Sequence, residues 1–125
     1  MKTRILIADD HLAFREGLKA VINHEIDMEV VGEAENGKKA VALTREVLPD
    51  VILMDVKMPV MDGAEATRQI LAELPGIKIL ALSIYDDNGF TAGMMRAGAL
   101  GYILKGCDPQ ELFDAIRRTA GSRSV

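Results

Sequence analysis

Five residues of this chain could do chemistry together: Asp9, Asp10, Asp55, Ser83 and Lys105. Each stands at the end of a short apolar run. Asp9 and Asp10 follow RILIA (4–8), Asp55 closes VILMD (51–55), Ser83 closes IKILALS (77–83), and Lys105 follows LGYIL (100–104). A charge at the end of a buried run is costly unless it is paired, metal-bound or at work. Carboxylates held together repel, and either protonation or a cation relieves them. Lys105 supplies one positive charge. Mg²⁺ would supply two more; it prefers oxygen ligands and keeps several waters, so it needs few protein groups. With no suitable His or Cys cluster, zinc is disfavoured. A cation and a lysine with room beside them suit a phosphoryl group, which an aspartate can accept as a nucleophile. The metal and lysine would offset charge on the transferring oxygens, and Ser83 could donate a hydrogen bond.

Those residues need elements to hold them. Helical spacing of Leu12, Phe14, Leu18, Val21 and Ile22 predicts a first helix over 11–25. MEVVGEA (28–34) reads as a strand, and residues 36–48, with Pro49 beyond, as a second helix. A third helix spans 62–74, with Asp62 as N-cap and Glu65 completing a capping box. Residues 87–98 form a weaker helix containing Gly89 and Gly93. The last helix, 108–120, has Asp108 as cap, Pro109 in the first turn and Glu111 to complete the box. Five strand–helix units imply an α/β fold: a parallel five-stranded sheet, doubly wound, with helices on both faces. Ligands of such sheets bind beyond the carboxyl ends of the strands, where all five candidate residues fall.

Taken singly, each residue has a plain structural reading. Asp10 and Asp62 are natural helix caps, Ser83 a strand-end serine, Lys105 a surface lysine and Tyr102 a packed strand aromatic. Their convergence on one rim favours a shared site. Composition bounds the rest. The 125 residues are 49% hydrophobic and lack Trp, so aliphatic side chains and Met must fill the core of one domain. A net charge of −4 argues against direct nucleic-acid binding. Arg117, Arg118 and Arg123 read as a solvated face. Cys107 is the only cysteine, which excludes an internal disulfide, fits a reducing cytoplasm and reads as a packing residue. No apolar run reaches membrane-span length and no signal-peptide core is present, so a cytoplasmic protein is expected.

The motifs LIADDH, ILMDVKMPVMDG, ALS and GYILKG, in this order, resemble the receiver domain of bacterial two-component response regulators. DDHLAFREGL and KGCDPQELFDAIR are closer to the NarL/FixJ-like (LuxR-type) branch. The resemblance covers about residues 3–120 and implies a flavodoxin-like (βα)5 fold of strand order 2-1-3-4-5. It implies that Asp55 accepts a phosphoryl group from a sensor histidine kinase. Asp9, Asp10, Asp55 and the backbone carbonyl of Lys57 would hold Mg²⁺. Ser83 and Lys105 would bind the phosphoryl oxygens, with Tyr102 coupled to Ser83 as a switch. The surface of the fourth helix, fifth strand and fifth helix would read out a shifted population, in which homodimerisation is one outcome.

Two departures matter. Gly106 follows Lys105 where the family often has proline, so no cis bond is expected there. Ile84 follows Ser83 where many receivers have a small residue; its bulk is expected to restrict access to Asp55. The receiver is placed at 1–120, and GSRSV (121–125) reads as the start of a linker to an output domain outside this chain. DNA binding would belong to that domain, although a stand-alone receiver fits too. Two other classes remain. An aspartate-nucleophile phosphohydrolase would carry its nucleophile after the first strand and add a cap domain. A flavin carrier would want a Ser/Thr/Gly-rich loop where DDHLAF stands.

Overall fold

The computed structural model describes residues 1–84 and 88–121, leaving aside the side chains of 88–90. The strands are β1 (Thr3–Ala8), β2 (Met28–Ala34), β3 (Val51–Asp55), β4 (Lys78–Ser83) and β5 (Gly101–Leu104). The helices are α1 (Leu12–Asn23), α2 (Gly37–Val47), α3 (Gly63–Glu73), α4 (Asn88–Ala97) and α5 (Pro109–Ala120). They alternate as expected. Asp87, the expected start of α4, lies outside the described residues, as do Arg123 and the linker residues 122–125.

The strands form one parallel sheet in the order β2-β1-β3-β4-β5. Chain order reverses between β1 and β3, which opens a crevice at their carboxyl ends. Because β3 lies in mid-sheet under helices on both faces, VILMD needs no polar alternation, and all five residues are buried. Side chains still alternate between the faces. Ile5, Ile7, Val51, Leu53, Leu80 and Leu82 pack under α1 and α5. Leu6, Ala8, Ile52, Met54, Ile79 and Ala81 pack under α2, α3 and α4. The result is a three-layer α/β/α sandwich.

The helix ends refine the sequence reading. Asp62 caps α3 by accepting from the Glu65 N–H at 2.9 Å, but the Glu65 carboxylate engages Arg68. Asp108 caps α5 by accepting from the Gln110 N–H at 2.8 Å, one residue before Glu111. Asp10 is not the cap of α1: that position belongs to His11, which makes no side-chain cap bond. Leu12 and Val21, expected on the buried stripe of α1, are exposed, because the helix touches the sheet only through the row of Leu18 and Ile22 with Phe14 beside it. Arg117 is no free surface cation. It pairs with Asp27 through Nε at 3.0 Å and with Glu25 at 2.8 Å, tying α5 to the α1–β2 loop. This charge-assisted bonding lowers the Asp27 pKa and raises that of Arg117.

Candidate functional site at the carboxyl end of the sheet

Side-chain alternation decides which residues meet. Asp9 continues the row of Ile5 and Ile7, Asp55 that of Val51 and Leu53, and Lys105 that of Ile103. All three therefore emerge on the face under α1 and α5, at the β1/β3/β4 end of the crevice. Lys105 Nζ lies 2.6 Å from Asp9 Oδ2 and 3.2 Å from Asp55 Oδ2, with the three side chains only 9%, 0% and 8% exposed. Its backbone N–H donates to the Ser83 carbonyl at 2.8 Å, which fixes where the lysine leaves the sheet. Ser83 belongs to the opposite row with Ala81, yet as the last residue of β4 it reaches the same cavity. That cavity holds about 220 Å³ and is lined by Asp10, His11, Asp55, Val56, Lys57, Ser83, Ile84 and Lys105.

Asp9 is held at nearly every polar atom. Its N–H donates to Ala34 O at 2.9 Å, and its carbonyl accepts from Arg15 at 2.6 Å. Its Oδ1 accepts from the His11 N–H at 2.8 Å and lies 3.1 Å from His11 Nδ1. Only Oδ2 receives no directed hydrogen bond; the nearby ammonium makes an ion contact outside hydrogen-bond geometry. Asp10 is more open and is met by His11 Nδ1 at 3.4 Å. One ligand atom from each of Asp9, Asp10, His11 and Asp55 lies within 4.8 Å of the others. An acid cluster with a buried, undirected oxygen fits a hard divalent cation, since without one the repulsion falls on the carboxylates themselves. The consequence is seen at Asp55. Burial first, and the Asp9 charge second, push its carboxyl up to about 6, against the opposing pull of Lys105.

The loop from Val56 to Asp62 closes one side of the cavity and has little freedom. Gly63 N–H donates to Val56 O at 2.9 Å, and Gly37 N–H donates to Met61 O at 3.0 Å. A Cβ on Gly63 would stand 2.0 Å from the Asp55 carbonyl oxygen, so glycine is needed there for close approach. Within the loop Val60 holds φ of 70° and is 77% exposed. A β-branched side chain is strained in the left-handed region. Val60→Gly is expected to raise stability by about 1 kcal/mol, the relief of strain exceeding the added unfolded-chain entropy. Urea unfolding checks this, and a lower midpoint would contradict it.

Some expected residues are placed differently. Tyr102, expected as a packed strand aromatic, is 44% exposed and does not line the Asp55 cavity. It stands on edge strand β5, opposite Ala81, and shares a neighbouring cavity with Ile84, Leu104 and Arg118. Ile84 borders both cavities. Cys107 packs against the α1/α5 core; burial first and the Glu111 charge second push its thiol up, which disfavours a reactive thiolate. His11, Phe14 and Arg15 were missed as site residues. Their signal was adjacency to Asp9–Asp10 in DDHLAFRE.

The family model described as "Response regulator receiver domain" matches residues 5–117. The chain is 44% identical over 119 residues to the transcriptional regulatory protein DegU of Brevibacillus brevis, covering 95% of this chain and 50% of that protein. It is 41% identical over 125 residues to the response regulator protein VraR of Staphylococcus aureus, covering 100% and 60%. A solved two-component response regulator of the LuxR family from Aurantimonas sp. SI85-9A1 matches at a TM-score of 0.92 and 35% identity, covering 99% of this chain and 89% of that one. No helix among the described residues is long and apolar enough to cross a membrane. The chain spans about half to three-fifths the length of these two curated relatives. With its sheet order, its acid–lysine crevice and these likenesses together, it belongs to the receiver-domain family of response regulators, in the branch of LuxR- and NarL-type regulators.

Proposed function

We propose that Asp55 is the phosphoacceptor of a signalling switch served by a sensor histidine kinase. The observation that carries this is the Asp55 carboxyl itself: buried, raised to about 6, facing a cavity, and flanked by Asp9, Asp10, Ser83 and Lys105. In the transfer, an Asp55 carboxylate oxygen attacks phosphorus. An O–P bond forms, the P–N bond of the donor phosphohistidine breaks, and its electron pair returns to the imidazole. Asp9, Asp10, Asp55 and the Lys57 carbonyl are the groups that would hold Mg²⁺, which when bound offsets charge on the phosphoryl oxygens. Lys105 would pair with one phosphoryl oxygen, and the Ser83 hydroxyl would donate to another. Turnover is limited to self-phosphorylation and self-dephosphorylation.

Tyr102 and Ile84 are the residues through which the site would reach the β5 surface, since Ile84 borders both cavities and Tyr102 lines the outer one. The receiver unit would span 1–120. Because the longer relative DegU is named a transcriptional regulatory protein, the output would be transcription. DNA would be met only by a part beyond these residues, with homodimerisation on phosphorylation as the means.

Beryllium fluoride, a phosphoryl mimic, tests the site. Wild type should bind it only with Mg²⁺, and Asp55→Asn should not bind; equal binding by both would overturn the assignment. Ile84 is exposed and edges the cavity mouth. Ile84→Ala is expected to speed both phosphorylation by acetyl phosphate and loss of the phosphoryl group several-fold. Unchanged rates would show that the side chain does not restrict access.

A further inference from the structure

The Lys105 ammonium has a third neighbour besides the two carboxylates. Nζ stands 4.8 Å from the centroid of the Phe14 ring. Phe14 lies early in α1, is half-buried, and packs against the α1/α5 core. With Leu82, Leu104, Lys105 and Leu112 it lines an apolar groove of about 260 Å³ between α1 and the start of α5. Lys105 lines both that groove and the Asp55 cavity, and the ring meets it from the groove side.

A lysine stem is long and freely rotating, and its ammonium is a point charge without the planar fork that would fix its direction. Here Nζ donates one hydrogen bond, to Asp55 Oδ2 at 3.2 Å, while the nearer carboxylate oxygen, Asp9 Oδ2, makes an ion contact outside hydrogen-bond geometry. One long hydrogen bond from a group with three donors fixes the ammonium only in part. An aromatic face attracts a cation and also excludes water from it. We infer that Phe14 is a positioning residue for Lys105: its ring holds the ammonium between Asp9 and Asp55, so the lysine meets an arriving phosphoryl group already in place. Preorganised charge of this kind spares reorganisation when the ligand arrives. This inference rests on the reading of Asp55 as the phosphoacceptor.

The test measures beryllium fluoride affinity at saturating Mg²⁺ for the full chain in wild type, Phe14→Leu, Phe14→Tyr, Lys105→Met and the Phe14→Leu/Lys105→Met double variant. Leu keeps the apolar fill and removes the ring; Tyr keeps the ring. Phe14→Leu should bind about fivefold more weakly, and Phe14→Tyr should stay within about twofold of wild type. In the Lys105→Met background the Leu substitution should cause no further loss. A wild-type affinity in Phe14→Leu overturns the inference, as does an equal loss with Lys105 already removed, which is what a merely structural ring would give. Those outcomes leave Asp55 as phosphoacceptor untouched. Failure of wild type to bind beryllium fluoride at all would overturn both readings.

Discussion

Asp55→Asn is expected to make the metal-free protein more stable at neutral pH, by about 2–3 kcal/mol, while removing its capacity to accept a phosphoryl group. The folded carboxyl titrates near 6 and the ordinary value is 3.8. Between those values the native state binds more protons than the unfolded chain. Stability due to this group therefore falls as pH rises from about 4 to about 6, and stays low above that. An asparagine cannot ionise and escapes the loss. The difference between variant and wild type should be small near pH 4, grow to its full size near pH 6, and then level off. Comparing the two cancels the opposite trend of Glu35 and Glu73, whose pKa values Lys39 and Arg45 lower. Added Mg²⁺ should stabilise wild type and narrow the gap, because a ligand that binds only the native state adds to its stability. Urea unfolding of both proteins across this range measures the effect. A variant less stable than wild type at pH 7 without metal would contradict the electrostatic account of the crevice.

Gly63→Ala is expected to have the largest cost to the fold. The new methyl would meet the Asp55 carbonyl oxygen at 2.0 Å and the Met54 side chain at 3.2 Å. A backbone oxygen in mid-sheet cannot retreat as a flexible side chain would, so either β3 or the start of α3 must move. A loss of about 3 kcal/mol or more is expected, in the range of overpacking and backbone strain. The displaced carbonyl belongs to Asp55, the proposed phosphoacceptor, so protein that still folds should also bind beryllium fluoride poorly. Gly93→Ala is the control. Nothing lies within 4 Å of a Cβ there, and within α4 the change should stabilise by about 1 kcal/mol. Equal unfolding midpoints for Gly63→Ala and wild type would show that the approach is less tight than 2.0 Å implies.

Much of this was legible in the chain, for identifiable reasons. VILMD was legible as a strand of a sheet covered on both faces because four consecutive apolar residues lead into Asp55, while its central place came only with the strand order that the resemblance implies. The caps at Asp62 and Asp108 were legible because capping is local chemistry. Counting alternate residues from Ile5, Val51 and Ile103 would also have shown that Asp9, Asp55 and Lys105 share a face. What escaped was tertiary. The role of Asp9 depends on His11, Arg15 and Lys105 reaching it, and the approach of Phe14 to Lys105 joins residues from opposite ends of the chain. Taken singly, Asp10 read as a cap because an acid before an apolar run usually is one; here His11 holds that position, which leaves Asp10 to the acid cluster where the residues taken together had put it. Taken singly, Tyr102 read as packed because aromatics in strands usually are, but β5 is an edge strand. Leu12 and Val21 satisfied helical spacing yet fell beside the narrow contact between α1 and the sheet.

The most direct test is to incubate the protein with acetyl phosphate and Mg²⁺, trap the acyl phosphate by borohydride reduction, and map the modified residue by mass spectrometry. The result expected is one modification per chain, at Asp55, dependent on Mg²⁺ and absent from Asp55→Asn. Modification at Asp9 or Asp10 instead, or none in folded protein that binds Mg²⁺, would contradict the account.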